Sequence, residues 1–192
     1  REVGQELESA RKAVHRLAIN TQTYGAENLQ FLRQGKSLPL EIESEYIKTV
    51  EEICRLSEPL FKETAMQRIH GDCHLGNLLH GRDGFFWADF DDMLIGPCVQ
   101  DLWLLIPGRD DYARRQRYEL LDAYAMMYDF VDRSLRLIVP LRAFRFIYFS
   151  AWIAKRWQDP AFQRVFPQFG SRGYWHEQLA DLREQLEFIA GQ

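Results

Sequence analysis

The chain has 192 residues, 46% hydrophobic and 14% aromatic, enough apolar material to bury the core of a folded globular unit, one domain or one large lobe. Its 24 Lys and Arg are scattered among 28 Asp and Glu, a net charge of -4 that offers no electrostatic footprint for DNA or RNA. The three cysteines, Cys54, Cys73 and Cys98, form no CxxC pair; neither a disulfide framework nor a thiolate zinc site is expected, and a reducing cytoplasm fits them best.

No apolar run approaches the roughly 18 residues needed to span a bilayer, and no basic segment leads into a signal-like apolar stretch, so no membrane partner is expected. The first residue is Arg1 rather than Met, which suggests that further sequence precedes it. Val3, Leu7, Ala10, Val14 and Leu17 alternate at steps of four and three and predict an opening amphipathic helix. Polar Gln22 to Asn28 reads as an interruption. After Pro39, Ile47, Val50, Cys54 and Phe61, with Tyr46 and Ile53 beside them, predict a second helix.

From Ile69 to Phe90 the pattern becomes β-like: Leu78 and Leu79, a Gly81-Arg82-Asp83-Gly84 turn, then Phe85 onward, together a hairpin. Beyond Pro107, Leu121, Tyr124, Ala125, Tyr128 and Val131 share a helical face. Pro140 opens a helix through Trp157 that Asp159-Pro160 ends, and Tyr174 to Ile189 forms a last helix. The chain contains no repeat, low-complexity tract or flexible linker. The expected fold is mainly α (α+β), a helical body with one small embedded hairpin.

The chemistry concentrates in HGDCHLGN (70 to 77) and DFDD (89 to 92). If His80 pairs with Phe85, Leu78 faces Trp87 and Asn77 faces Ala88, so Asn77 and Asp89 converge despite twelve residues of separation. An amide oxygen and a carboxylate make a hard partial shell suited to Mg2+, which completes its octahedron with water and phosphate. Asp72, in the loop entering the hairpin, is the candidate base or orienter of an acceptor hydroxyl. The alternative is that Asp72 caps a turn and Asn77 sits in an ordinary loop.

The Asp72-x4-Asn77 spacing equals that of the protein-kinase catalytic loop, and Asp89-Phe90 stands where the kinase Asp-Phe-Gly would. Gly71 in place of the kinase arginine, and the short segment between Asp89 and Asp101, resemble the aminoglycoside phosphotransferase and choline kinase superfamily. GPCVQDLW (96 to 103) and LRAFRFIYFSAWIAKRWQDPAF (141 to 162) narrow the resemblance to its bacterial stress-response serine/threonine protein kinases. The resemblance implies ATP as co-substrate, Mg2+ as cofactor, Asp72 as catalytic aspartate, and Asn77 and Asp89 as metal ligands. It further implies Asp101 as a structural aspartate binding catalytic-loop backbone, and His70 as a brace for that loop.

Residues 1–192 are then expected to form a protein-kinase-like C-terminal lobe, with catalytic loop and metal hairpin at 68–92. Upstream of His70 there is no glycine-rich strand-turn-strand and no strand-borne lysine, so the N-terminal lobe is expected to be absent, and with it most of the grip on ATP. The expected acceptor is a serine or threonine hydroxyl of a protein. A small-molecule kinase of aminoglycoside, choline or homoserine type, or a non-catalytic nucleotide-binding module, are the alternatives.

Several neighbouring residues invite further roles. His70, His74 and His80 lie close in sequence, but no HExxH pattern supports zinc, and His74 fits a loop-shaping or acceptor-site residue better. Cys73 reads as a small buried side chain. Strand alternation would point Asp91, more than Asp92, to the face of Asp89. Arg142 and Arg145 share a side of their helix and suit either an anion or surface ion pairs. Phe144, Tyr148 and Trp152 recur every four residues and read as core.

Overall fold

The computed structural model describes residues 17–127 and 132–191. The predicted opening helix lies outside them except for Leu17, as do Tyr128 and Val131 of the helix predicted after Pro107. Leu17 to Ile19 runs beside Ile95, with Ile19 N donating to Ile95 O at 2.8 Å and Ile95 N to Leu17 O at 3.0 Å. The Asn20 side chain then accepts from the N–H groups of Gln22 and Thr23, both at 2.9 Å, and starts a helix.

That helix corrects the expected polar interruption. A π-helical turn, Thr21–Ala26, runs directly into α1, Glu27–Gln34. Two of its polar residues are buried with partners: Thr21 donates to Glu58, and the Asn28 amide donates to Thr23 O at 2.9 Å. Gly25 allows the close approach, since a Cβ there would lie 2.4 Å from Cys54 Sγ and 2.8 Å from the Phe144 ring.

Helix α2, Leu40–Lys62, follows Pro39 and buries Ile42, Tyr46, Val50, Ile53 and Phe61. Its buried stripe is centred one residue from the predicted one, leaving Ile47 and Cys54 at the edge. Strand β1, Gln67–Ile69, precedes the hairpin strands β2, Leu78–Gly81, and β3, Gly84–Trp87, which pair in the predicted register: Leu78 with Trp87, His80 with Phe85. A further strand, β4, Leu94–Gly96, pairs antiparallel with β1, Ile69 opposite Leu94. The β part therefore comprises two two-stranded sheets rather than one hairpin.

Helix α3, Val99–Leu105, and helix α4, Asp111–Ala125, come next, and a 3-10 segment at Asp132–Leu137 leads into α5, Ile138–Arg156. Asp159 both ends that region and caps a short α6, Pro160–Val165, by accepting from Ala161 N at 2.8 Å. Helix α7, Arg172–Ala190, closes the fold against α2 and α5.

The helical stretch Arg133–Arg156 is long and apolar enough to cross a membrane by length and composition, contrary to the sequence expectation. Its apolar side is the protein's own core: Leu141, Phe144, Ile147 and Ala151 are all buried. Phe144 meets Phe61 at 5.9 Å between ring centres, while Tyr46 meets Trp175 edge-on at 5.9 Å, tying α5 and α7 to α2. Phe144→Ala should destabilise the protein by about 3–5 kcal/mol, read as a lowered urea midpoint at unchanged slope.

Candidate active site

Strands β1 and β4 close the two ends of an excursion, residues 70–93, that contains both sequence motifs. The excursion is anchored from α3. Both oxygens of the Asp101 carboxylate accept from consecutive backbone N–H groups, Oδ2 from His70 at 2.8 Å and Oδ1 from Gly71 at 2.9 Å. Burial pushes the Asp101 carboxyl pKa up, and the two N–H donors oppose that rise. Gln100 adds a bond from its amide to Gly71 O at 3.1 Å and is itself held by Trp103 Nε1 at 3.0 Å. Gly71 has φ +87, and a Cβ would sit 2.6 Å from the Asp92 carbonyl, so only glycine fits between the loop and the chain leaving the hairpin.

His70 braces the other end. Its Nε2 donates to Ala88 O at 2.9 Å, which fixes the tautomer because a carbonyl only accepts, and its ring packs against Phe90 at 4.9 Å. Asn77 N–H donates to His74 O, and Ala88 N–H to Asn77 O, both at 2.9 Å, so the hairpin sets Asn77 beside the residue preceding Asp89. The Asn77 side-chain nitrogen is committed to Asp72 O at 3.0 Å, leaving the amide oxygen as its free donor to a cation. Asp89 itself is left-handed, φ 62 and ψ 64, where β3 gives way to a 3-10 turn at Phe90–Asp92. A non-glycine residue in this conformation stores strain of order 1 kcal/mol, the kind retained where a side chain must point one way.

The Asp72 carboxylate is approached from both sides. Arg145 Nη1, from α5, lies 2.9 Å from Oδ1, and His74 Nε2 lies 3.3 Å from Oδ2. Since His74 Nδ1 accepts from Gly76 N at 3.0 Å, its proton sits on Nε2 and faces Asp72. A cavity of about 300 Å³ opens here, with Asp72, Asp89, Asp92 and Arg145 in its wall and Tyr24, Tyr148, Phe149 and Trp152 as its aromatic side.

Several expected placements change. Asp92, rather than Asp91, shares the cavity with Asp89, because residues 90–92 form a 3-10 turn of period three instead of a strand of period two. Of the aromatic set on α5, only Phe144 is core; Tyr148 and Trp152 line the cavity, with Tyr148 stacked on Tyr24 at 4.5 Å. Arg142 and Arg145 part company: Arg142 donates to Pro107 O at 2.8 Å and covers the Trp103 ring at 5.2 Å. Burial and the nearby Arg109 and Arg117 push its pKa down to about 10.

His80 stacks on Phe85 at 4.7 Å, so the three histidines serve three separate contacts. Cys73 is buried, and burial with Asp101 and Asp72 nearby pushes its thiol pKa up to about 12, far from a thiolate at neutral pH. Tyr24 and Gln100 are site residues that sequence reasoning left without a role in the site, and Arg145, read there as suited to an anion or a surface ion pair, meets Asp72 instead. For Gln100 a signal existed, since Gln100 and Trp103 stand one helical turn apart around Asp101.

Among the described residues no three His, Cys, Asp or Glu side chains form a protein-only metal cage. The Asn77 oxygen and the Asp89 carboxylate fit Mg2+ that takes its remaining ligands from water and phosphate. Helices packed around a loop and two short two-stranded sheets, one of them the hairpin, define a protein-kinase-like C-terminal lobe. The chain belongs to the phosphotransferase enzyme family, whose model matches residues 2–138. It is 34% identical to stress response kinase A of Escherichia coli strain K12, aligned over 98% of this chain and 58% of that protein. The Shigella flexneri protein of the same name is 33% identical over the same shares. Serine/threonine protein kinase RdoA of Salmonella typhimurium strain LT2 is 34% identical over 89% of this chain and 52% of its own. The chain thus spans a little over half the length of the relatives it matches.

Two substitutions separate structural from chemical roles. Asp101→Ala leaves two buried N–H groups without acceptors and should cost about 3 kcal/mol in denaturant unfolding. Asp89→Gly removes the left-handed strain, so stability in denaturant unfolding should hold or rise by up to about 1 kcal/mol, which marks the strain as kept for a reason other than stability.

Proposed function

We propose that this chain is the catalytic lobe of a cytoplasmic, ATP- and Mg2+-dependent serine/threonine protein kinase of the stress-response type, with residues 1–192 acting as one lobe. The observation that carries the reading is the junction of Asp72, Asn77 and Asp89: Asn77 bonds to the Asp72 carbonyl and pairs across the hairpin with Ala88, next to Asp89. Asp72, in the cavity wall, accepts the proton of the attacking hydroxyl as the γ-phosphate is transferred to it. Asn77 and Asp89 would hold Mg2+, which would supply neutralisation of phosphate charge. Asp101 and His70 keep the loop in place and take no part in proton transfer.

A protein acceptor is suggested by the names of the relatives, one of which is called a serine/threonine protein kinase. The cavity of about 300 Å³ beside Asp72 favours a second reading, in which a small hydroxylated metabolite is the acceptor. This lobe alone should grip ATP weakly, because its described residues include no β-rich lobe to cover the nucleotide.

The full-length protein, incubated with γ-labelled ATP and Mg2+, should label serine or threonine of a protein substrate, and Asp72→Asn should lower the rate about 10²–10⁴-fold. Unchanged transfer by Asp72→Asn would rule out the assigned base. Label appearing only in a hydroxylated metabolite would establish the second reading.

A further inference from the structure

We propose that Arg145 is a positioning residue that keeps Asp72 out of the metal's coordination shell, so that Asp72 stays available as a base; this rests on the function proposed above. Three carboxylates, Asp72, Asp89 and Asp92, line one cavity, and among the described residues Arg145 is the single cation in its wall. A divalent ion held at Asp89 attracts every carboxylate that has an uncommitted oxygen nearby. Without Arg145, Asp72 would have one: its Oδ1 is buried and has no aligned hydrogen bond, and the Arg145 guanidinium lies against it at 2.9 Å. A carboxylate that coordinates the metal becomes a weaker base, because the adjacent cation stabilises its charged form.

The restraint comes from a rigid element. Arg145 follows the fully buried Phe144 on α5, and Tyr148, one turn on, is stacked on Tyr24. His74 holds the opposite oxygen only at 3.3 Å and belongs to the same 70–77 loop as Asp72, whereas Arg145 pulls from outside that loop. The pair is partly exposed, with 39% of the Arg145 and 26% of the Asp72 side chain open to solvent, so its contribution is to position and little to overall stability.

Free Mn2+, titrated by electron paramagnetic resonance into the full-length protein without ATP, reads this directly and needs no turnover. Arg145→Met should bind Mn2+ roughly tenfold more tightly than wild type, because Asp72 joins the ion. That gain should vanish in the Arg145→Met/Asp72→Asn double variant. In turnover, Arg145→Met should lose kcat at least about tenfold with the KM for ATP held, and Arg145→Lys should recover part of the loss at near wild-type Mn2+ affinity. Unfolding midpoints should shift by under about 1 kcal/mol.

Unchanged or weaker Mn2+ binding by Arg145→Met overturns the proposal. So does a gain that persists with Asp72→Asn, since the effect is then plain removal of a positive charge. A wild type that binds no Mn2+ overturns the proposal together with the metal site. The predicted Mn2+ cycle in a protein that transfers no phosphoryl group supports the restraint and sinks the function.

Discussion

Everything in the site hangs from one carboxylate gripping two adjacent backbone N–H groups. Asp101 reaches out of the first turn of α3 and fixes His70 and Gly71, the point where the chain leaves β1 and turns into the loop. Two short, charge-assisted bonds to consecutive residues set both position and direction of the peptide plane, which one bond would leave free to swivel. Burial works against the charge, as its raised pKa records, and Gln100 and Trp103 wall the region off from the other side. His70 carries the constraint on, from its fixed backbone through its ring to Ala88, so that the loop and the far end of the hairpin are located by a single helix residue.

What could be read from the residues depended on whether a local period governed them. The hairpin register was legible because a two-strand pairing with a short turn has no remaining freedom: setting His80 against Phe85 forces Leu78 against Trp87 and Asn77 against Ala88. Helices α2, α5 and α7 were legible from apolar spacing, although the true stripe of α2 runs through Tyr46, Val50 and Ile53. Strand β4 was not, since three residues, Leu94 to Gly96, carry no period and their partner lies before the whole excursion.

The misreadings at the site share a cause. Assuming a strand through Phe90 to Asp92 selected Asp91, whereas the left-handed turn at Asp89 resets the period and brings Asp92 to the cavity. Gln22 to Asn28 looked like a break because its polar residues are satisfied by internal partners, Thr23 O for Asn28 and the Asn20 side chain for the turn, which no hydropathy pattern reveals. Tyr24 was lost with it. The Arg145 and Asp72 contact joins residues far apart in the chain through tertiary packing alone.

The cavity wall is made of two kinds of chain. Gly71, Asp72, Asp89 and Asp92 belong to the excursion between β1 and β4, while Tyr24, Leu141, Tyr148 and Trp152 come from the π turn and α5. The first set is bound by backbone hydrogen bonds and a residue that only glycine can replace; the second is held by side-chain packing on helices, which tolerates exchange of one ring or methyl group for another. Under the proposed function, exchange of one apolar or aromatic side chain for another on α5 would alter which acceptor fits, while the loop backbone, with Arg145 against Asp72, would keep the reacting groups in place.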